Sequence, residues 1–187
     1  MSMSTLRAAV FLDRDGTINV DTTYVSRPER VSLIPDAAAA IAQLNAADIP
    51  VIVVSNQSGI GRGYFSHADY ELVQRRVEEL LAEHGAHIDA TYICPHAPDG
   101  DTECECRKPG ALLYRRAAEE HGLDLARSWY IGDRWRDIAV AEELGGKAVL
   151  VPTDKTPVQE ILQAKDRFAV ATTLGAAVDR ILGPQPG

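Results

Sequence analysis

Long apolar runs are the first thing that this sequence lacks. Its 187 residues contain no stretch of about 18 apolar residues, the length that a membrane-spanning helix needs. Residues 1–7 also lack the basic, apolar and small-residue order of a signal peptide. These absences argue against a membrane-spanning or exported protein, so we expect a cytoplasmic location and no membrane partner.

Basic residues are also in short supply. The chain has 19 Lys and Arg against 27 Asp and Glu, which gives a formal net charge of −8 at pH 7. Surfaces that bind nucleic acid or anionic membranes need clustered Lys and Arg. We therefore expect no nucleic acid partner, while a local site for a small anion is compatible with this composition.

Cysteine is the third shortage. The chain has three cysteines, an odd number, and all of them fall within residues 94–106. A disulfide framework uses paired cysteines and forms in oxidising compartments. Three clustered cysteines instead favour a metal site in a reducing compartment.

Short apolar runs alternate with helical patterns along the chain. The runs predict buried strands at 8–12, 50–54, 129–131 and 147–151, and the patterns predict helices at 36–47, 66–84, 110–121, 135–144 and 158–164. Such repeated strand–helix units predict an α/β fold with a Rossmann-like, doubly wound parallel sheet.

Two of the predicted helices carry start signals. Ser66 and Asp69 have the spacing of a capping box. Thr156 is predicted to be an N-cap, with Pro157 in the first helical position.

With 45% hydrophobic residues, the chain is long enough for one core, so we expect a single domain over residues 1–187 that ends in a frayed tail at 183–187.

Two carboxylates directly follow the first predicted strand, in the motif D-R-D-G-T at 13–17. A carboxylate such as Asp13 can attack phosphorus, and a second one such as Asp15 can act as general acid and base. The pair also offers the hard oxygen ligands that Mg²⁺ prefers. Taken alone, this motif favours an acidic turn that caps a strand.

Three more polar segments are each expected at the end of a strand. The S-N-Q-S-G motif at 55–59 offers a hydroxyl and backbone donors, and R-K-P at 107–109 offers two cations. The motif G-D-R-W-R-D at 132–137 offers further carboxylates for a cation. Each segment alone is compatible with an ordinary polar turn, a solvated basic pair or a helix cap.

A second group of ligands is formed by C-P-H at 94–96 and C-E-C at 104–106. Three thiolates and one imidazole make a closed tetrahedral Zn²⁺ site, which is structural because no position is left for water. Zinc bound by Cys94, His96, Cys104 and Cys106 would fix the loop that presents Arg107 and Lys108. The alternative is three free cysteines and a surface histidine.

The order of these motifs resembles the haloacid dehalogenase superfamily of aspartate-nucleophile phosphatases. The resemblance covers about residues 10–150 and rests on F-L-D-R-D-G-T, S-N-Q, R-K-P and I-G-D-x-x-x-D. It implies that Asp13 is the nucleophile, that Asp15 is the general acid and base, and that Ser55 and Lys108 stabilise the phosphoryl group. It also implies a catalytic Mg²⁺ held by Asp13, the backbone carbonyl of Asp15 and Asp133, with Asp137 outside the ligand set.

The zinc loop at 94–106, together with F-L-D-R-D-G-T-I-N and S-N-Q-S-G-I-G-R-G, resembles one branch of that superfamily, the heptose 1,7-bisphosphate 7-phosphatases. This resemblance implies no large cap domain and a small-molecule sugar bisphosphate as substrate. It implies a substrate pocket formed by Asp21, Thr22, Thr23, Tyr24, Ser55, Asn56, Gln57, Ser58, Arg107, Lys108 and Arg134. We expect a monomer, because a small domain without a cap needs no partner to close its site.

Two alternatives stay open at this point. Histidinol-phosphate phosphatases have a similar zinc loop, but their second motif reads nearer T-N-Q-D-G-L-G, so Ser58 and the G-R-G run at 61–63 favour the heptose branch. A non-catalytic phosphosugar-binding protein could also use this fold. The presence of Asp13, Asp15, Ser55 and Lys108 argues against that second alternative.

Overall fold

The computed structural model describes residues 6–100 and 104–183. Within them lies one six-stranded sheet in which every pairing is parallel and the strand order is β3-β2-β1-β4-β5-β6. The strands are β1 (Val10–Leu12), β2 (Val51–Asn56), β3 (Ala90–Cys94), β4 (Trp129–Gly132), β5 (Lys147–Leu150) and β6 (Ala169–Val170). The predicted Rossmann-like α/β fold is confirmed.

Eight α-helices lie in the described residues. They are α1 (Ala37–Ala46), α2 (Ser58–Gly61), α3 (His67–Ala82), α4 (Leu112–His121), α5 (Trp135–Ile138), α6 (Val140–Leu144), α7 (Val158–Arg167) and α8 (Leu174–Leu182). Short 3-10 turns occupy Pro28–Arg30 and Leu125–Arg127. None of these helices combines the length and the apolar character that crossing a bilayer requires.

The core lies on both faces of the sheet, because successive strand residues point to opposite sides. On one face, Phe11 stacks on Tyr130 with ring centroids 5.3 Å apart, and Tyr114 of α4 meets Phe11 edge-on at 5.2 Å. On the other face, Leu12 and Val53 pack in a cluster with residues of α1, α3 and α8. Strands covered on both faces need the continuous apolar runs that the sequence contains.

The strand order reverses at β1, which places β2 on one side of it and β4 on the other. In open parallel sheets, the crevice beyond the carboxyl ends of the strands at such a reversal is where ligands bind. Asp13 follows β1, and Asp133 follows β4. The topology therefore brings two distant acidic motifs to the same place.

The structure tests several local predictions, and some of them are wrong. The capping box of Ser66 and Asp69 is confirmed at the start of α3. Thr156 as a helix N-cap is wrong: α7 has Pro157 in that position, because the Thr156 hydroxyl donates to the backbone carbonyl of Asp133 at 2.7 Å. The single helix predicted at 135–144 is divided into α5 and α6. The expectation that the segment at 107–109 follows a strand is wrong, because β3 ends at Cys94 and the next element is α4.

Four elements were not predicted from the sequence: β3, β6, α2 and α8. β3 and β6 lie at the two edges of the sheet, so partly exposed residues interrupt their apolar signal. For α8 the signal was present, since Thr173 caps the helix and Leu174, Ala177 and Val178 recur at helical spacing. Of the predicted tail at 183–187, residues 184–187 lie outside the described residues.

Ile52 provides a test of this packing. It is fully buried in β2, between β1 and β3, so we expect Ile52→Ala to lower the free energy of unfolding by about 2–5 kcal/mol because of lost contacts and a residual cavity. Leu162→Ala on α7 is the matched control, since Leu162 is 56% exposed and should cost about 0.5 kcal/mol or less. Denaturant unfolding measures both, and equal losses would contradict this account of the core.

Candidate active site

A cavity of about 370 Å³ opens beyond the carboxyl ends of β1, β2 and β4. All four motifs predicted from the sequence contribute residues to this cavity. Its lining consists of Asp13, Asp15, Asp21, Thr23, Tyr24, Ser55, Asn56, Gln57, Ser58, Gly59, Arg62, Pro98, Arg107, Arg134 and Arg136.

Most of the residues predicted for the site are therefore brought together, with a few differences. Thr22 is not among the lining residues, although its neighbours Asp21 and Thr23 are. Lys108 is only 3% exposed and contacts Asp13 from within the protein. Arg62 and Arg136 line the cavity although neither was proposed as a site residue. Both stand inside quoted motifs, so their charge next to the other polar residues was an available signal.

The Lys108 side chain holds together groups from three segments of the site. Its Nζ lies 2.6 Å from Asp13 Oδ1 and 2.7 Å from Asp137 Oδ1, and it donates to the Val54 carbonyl at 2.7 Å. Burial alone would lower the pKa of Lys108, but the carboxylates of Asp13 and Asp137 raise it above its ordinary value. Lys108 therefore remains charged at every physiological pH.

The backbone of Lys108 is fixed as well. Asn56, the last residue of β2, accepts a hydrogen bond from the Lys108 N–H at 3.0 Å and donates to its carbonyl at 3.4 Å. A side-chain amide thus serves both main-chain groups of one residue. This contact ties the segment that carries Lys108 to the end of the sheet.

Three carboxylates form a cluster next to this lysine. One oxygen from each of Asp13, Asp133 and Asp137 lies within 4.8 Å of the others, and all three residues are buried. Burial, opposed by Lys108, raises the pKa of Asp13 to about 6, and burial together with the nearby Asp13 raises that of Asp133 to about 8. A divalent cation fits this cluster, because hard oxygen ligands surround it and one lysine does not balance three carboxylates.

Two glycines allow the cluster to close. A Cβ on Gly16 would lie 2.6 Å from Asp133 Oδ2, and Gly16 has a φ of 95°. A Cβ on Gly132 would lie 2.3 Å from the Cβ of Asp137. Larger residues at these positions would push the carboxylates out of place, so the site requires glycine for space at both positions and for backbone conformation at Gly16.

Asp15 is held in a different environment from Asp13. Its two oxygens accept five hydrogen bonds: three from Arg14 at 2.9–3.2 Å, one from Asn19 at 2.9 Å and one from Gln57 at 2.8 Å. Burial would raise the pKa of Asp15, but the guanidinium of Arg14 and these hydrogen bonds lower it. Arg14 is fully buried and lies 5.0 Å from the ring of Tyr70. Two carboxylates two residues apart thus have pKa values shifted in opposite directions.

The four predicted zinc ligands also come together. Their ligand atoms lie within 4.8 Å of one another, with Cys106 Sγ at 2.9 Å from Cys94 Sγ and at 3.2 Å from His96 Nδ1. Cys104 Sγ lies 3.6 Å from Cys94 Sγ. Three thiols and an imidazole nitrogen that converge in this way are able to bind a metal ion.

Fold and site together are those of a haloacid dehalogenase-like hydrolase: a parallel sheet with an aspartate after β1, a lysine held against it and acidic residues after β4. A family model described as HAD-hydrolase-like matches residues 105–177, which contain the lysine and the second acidic motif.

Relatives and a solved structure show which branch of this class the chain is similar to. The D-glycero-beta-D-manno-heptose-1,7-bisphosphate 7-phosphatase of Pseudomonas aeruginosa is 40% identical over 80% of this chain and 83% of its own length. The enzyme of the same name from Escherichia coli K12 is 39% identical over 84% of this chain and 86% of its own. The crystal structure of D,D-heptose 1,7-bisphosphate phosphatase from B. bronchiseptica, complexed with magnesium and phosphate, has a TM-score of 0.83 and 33% identity over 94% of this chain and 98% of that one.

This chain belongs to the heptose-1,7-bisphosphate 7-phosphatase family of the haloacid dehalogenase superfamily. The family resemblance drawn from the four motifs and the cysteine loop is confirmed.

The raised pKa values of the carboxylate cluster predict how a divalent cation binds. A cation has to displace the protons that Asp13 and Asp133 carry below about pH 6 and about pH 8, respectively. Its affinity should therefore rise between about pH 6 and about pH 9. Calorimetric titration with Mg²⁺ across this range measures the effect. Asp133→Asn should weaken both the affinity and its pH dependence, and an affinity that stays constant with pH would contradict the prediction.

Proposed function

We propose that this chain is a Mg²⁺-dependent phosphatase that removes the C7 phosphate of D-glycero-D-manno-heptose 1,7-bisphosphate through an aspartyl-phosphate on Asp13. The observation that carries the proposal is the position of Asp13, held against Lys108 at the end of β1 with Asp15 two residues further on. The names of the relatives support the substrate, and favour it over histidinol phosphate.

Asp13 is suited to attack phosphorus. Although burial raises its pKa to about 6, the carboxylate is still mostly ionised at neutral pH. Lys108 holds Oδ1 at 2.6 Å, which leaves Oδ2 to form the bond to phosphorus. As this bond forms, the bond between phosphorus and the C7 oxygen of the sugar breaks, and its electron pair stays on the sugar oxygen.

Asp15 is the group that transfers the proton. In the first step Asp15 donates a proton to the departing sugar oxygen. Without substrate its pKa is lowered and it is ionised, so it takes up this proton from solvent when the negatively charged phosphate binds beside it and raises its pKa. In the second step the same carboxylate accepts a proton from the water that attacks phosphorus, and Asp13 is released. Gln57 donates to both Asp15 Oδ2 and Ser55 Oγ at 2.8 Å, so it links the proton donor to a hydroxyl that binds the phosphoryl group.

Asp13, Asp133 and the backbone carbonyl of Asp15 would hold Mg²⁺. Bound there, the ion supplies positive charge next to the phosphoryl oxygens as negative charge builds up on them. Asp137, whose Oδ1 lies 2.7 Å from Lys108 Nζ, orients the lysine beside this group. Arg134 contributes less directly to substrate binding, because its guanidinium is bound to Glu160 at 3.0 and 3.1 Å.

The cysteine and histidine cluster is proposed to hold a structural Zn²⁺. Cys106 directly precedes Arg107 and Lys108, so the metal would fix the segment that supplies both cations. Gly61 donates to the Pro95 carbonyl at 2.8 Å, which joins this loop to the wall formed by α2. The substrate-binding residues are proposed to be Asp21, Thr22, Thr23, Tyr24, Ser55, Asn56, Gln57, Ser58 and Arg107.

Three further expectations concern the whole chain. We propose one domain over residues 1–187, a monomer, and a cytoplasmic location. The monomer is proposed because a small domain without a large cap needs no partner to close its site. Size-exclusion chromatography with light scattering measures the oligomeric state.

Phosphate release from heptose 1,7-bisphosphate in the presence of Mg²⁺ tests the proposed function. We expect a higher kcat/KM for this substrate than for histidinol phosphate. Asp13→Asn should lower kcat by about a thousandfold or more, because the amide is not a nucleophile.

Asp166→Asn is the matched control, since Asp166 is an exposed aspartate on α7 and should leave turnover unchanged. Circular dichroism confirms that both variants are folded. A preference for histidinol phosphate would overturn the substrate, and substantial turnover by the Asp13 variant would overturn the nucleophile.

Metal analysis tests the second site. Protein purified under reducing conditions without chelators should contain about one Zn²⁺ per chain, since four ligands complete its coordination. Cys104→Ser should lose the metal and show a lower melting temperature, whereas Ser128→Ala changes a buried residue away from the cluster and should keep the metal. Wild-type protein without zinc would refute the site.

A further inference from the structure

Arg62 is a cation of the cavity wall that has no part in the chemistry above. It lies at the end of α2 and lines the same cavity as Asp13. Its guanidinium is paired with Asp99, with Nη2 at 2.7 Å from Oδ1 and Nη1 at 3.1 Å from Oδ2. Two parallel contacts of this kind are how arginine binds either a carboxylate or a phosphate.

The two partners differ in how firmly they are held. The Asp99 side chain is 65% exposed, whereas that of Arg62 is 27% exposed. The Arg62 backbone N–H donates to the Ser58 carbonyl at 3.0 Å, which keeps the residue on α2. Arg62 Nε is buried and has no hydrogen-bond partner among the described residues. Because an ion pair with a solvent-exposed partner is weak, an anion of higher charge can replace Asp99 while Arg62 stays in place.

Two of the other arginines of the cavity, Arg134 and Arg136, are less available for a second anion. Arg134 is bound through two nitrogens to Glu160, whose side chain is only 23% exposed. Arg136 lies 3.9 Å from Asp137, at the end of the cavity where phosphorus reacts. Arg107 donates to the His96 carbonyl at 3.3 Å and is next to Lys108. Arg62 comes from a different segment, and its carboxylate partner faces solvent.

The wall around Arg62 has further features of a ligand site. Tyr24 lines the cavity, and its ring packs edge-on against Tyr64 at 4.8 Å between centroids. Thr23 and Tyr24 have φ values of 60° and 58°, a left-handed conformation that costs energy in residues other than glycine. Such strained backbone is concentrated at sites that bind ligands, and here it places Tyr24 beside the cavity.

The geometry points to Arg62 as the residue that binds the second phosphate of the substrate, the one that is not transferred. The carboxylate of Asp99 occupies this position until the substrate displaces it. The inference rests on the proposed function, because only a substrate with two phosphates reaches both Asp13 and a second cation. It assigns the preference for a bisphosphate over a monophosphate to the Arg62–Asp99 pair.

Steady-state kinetics with heptose 1,7-bisphosphate and with heptose 7-phosphate test this assignment. Arg62→Gln should raise KM for the bisphosphate by about ten- to a hundredfold with little change in kcat, because a charged hydrogen-bonded contact made equally in the ground and transition states is lost. The kinetics of the monophosphate should be nearly unchanged. Asp99→Asn should lower KM for the bisphosphate by about two- to fivefold, since a weak competitor is removed.

The double variant separates direct from indirect effects. In the Arg62→Gln background, Asp99→Asn should give no gain, because the two residues act through one contact. Arg76→Gln, which changes an ion-paired arginine of α3, is the matched control and should alter neither substrate. Equal changes for both substrates, or an additive double variant, would overturn this inference while wild-type turnover keeps the proposed function. A wild-type protein that does not hydrolyse the bisphosphate would overturn both.

Discussion

The buried ammonium of Lys108 holds together groups that come from distant parts of the chain. It contacts Asp13 after β1, the Val54 carbonyl in β2 and Asp137 in α5. Like charges at short range are costly where water is excluded, so three clustered carboxylates need a cation among them. The fixed lysine provides one positive charge permanently, and the remaining negative charge is what attracts a second cation. The sheet, the glycines at 16 and 132 and the Asn56 contacts all serve to keep this arrangement in place.

Much of this could be predicted from the sequence, for a physical reason. Strands covered on both faces must be apolar throughout, so β1, β2, β4 and β5 stand out as short hydrophobic runs. Parallel strands present their carboxyl ends at one edge, so the polar residues that follow them meet there. Asp13, Ser55 and Asp133 were found in this way. The cluster of three cysteines and one histidine could be predicted because these residue types at such close spacing are typical of a metal site.

Other features depend on tertiary structure and left a weaker signal. Asp137 was expected outside the ligand set of the metal, but the sequence did not reveal that its carboxylate lies 2.7 Å from Lys108 and clusters with those of Asp13 and Asp133. The sequence analysis assigned no role to Arg14, whereas the residue is fully buried and determines the environment of Asp15. The pairing of Arg62 with Asp99 joins residues 37 positions apart, and no local pattern reveals such a contact.

Cys94 and His96 converge with Cys104 and Cys106 from the two ends of the loop at 94–106. This arrangement affects how members of the family can diverge. Seven residues separate His96 from Cys104, and Asp99 is one of them. When a metal closes a loop, adding or removing residues between the ligands changes the closure entropy only slowly. Insertions and substitutions in that stretch can therefore reshape the far end of the cavity while Arg107 and Lys108 keep their positions. Evolution can then alter which molecule is accepted without rebuilding the machinery that reacts with it.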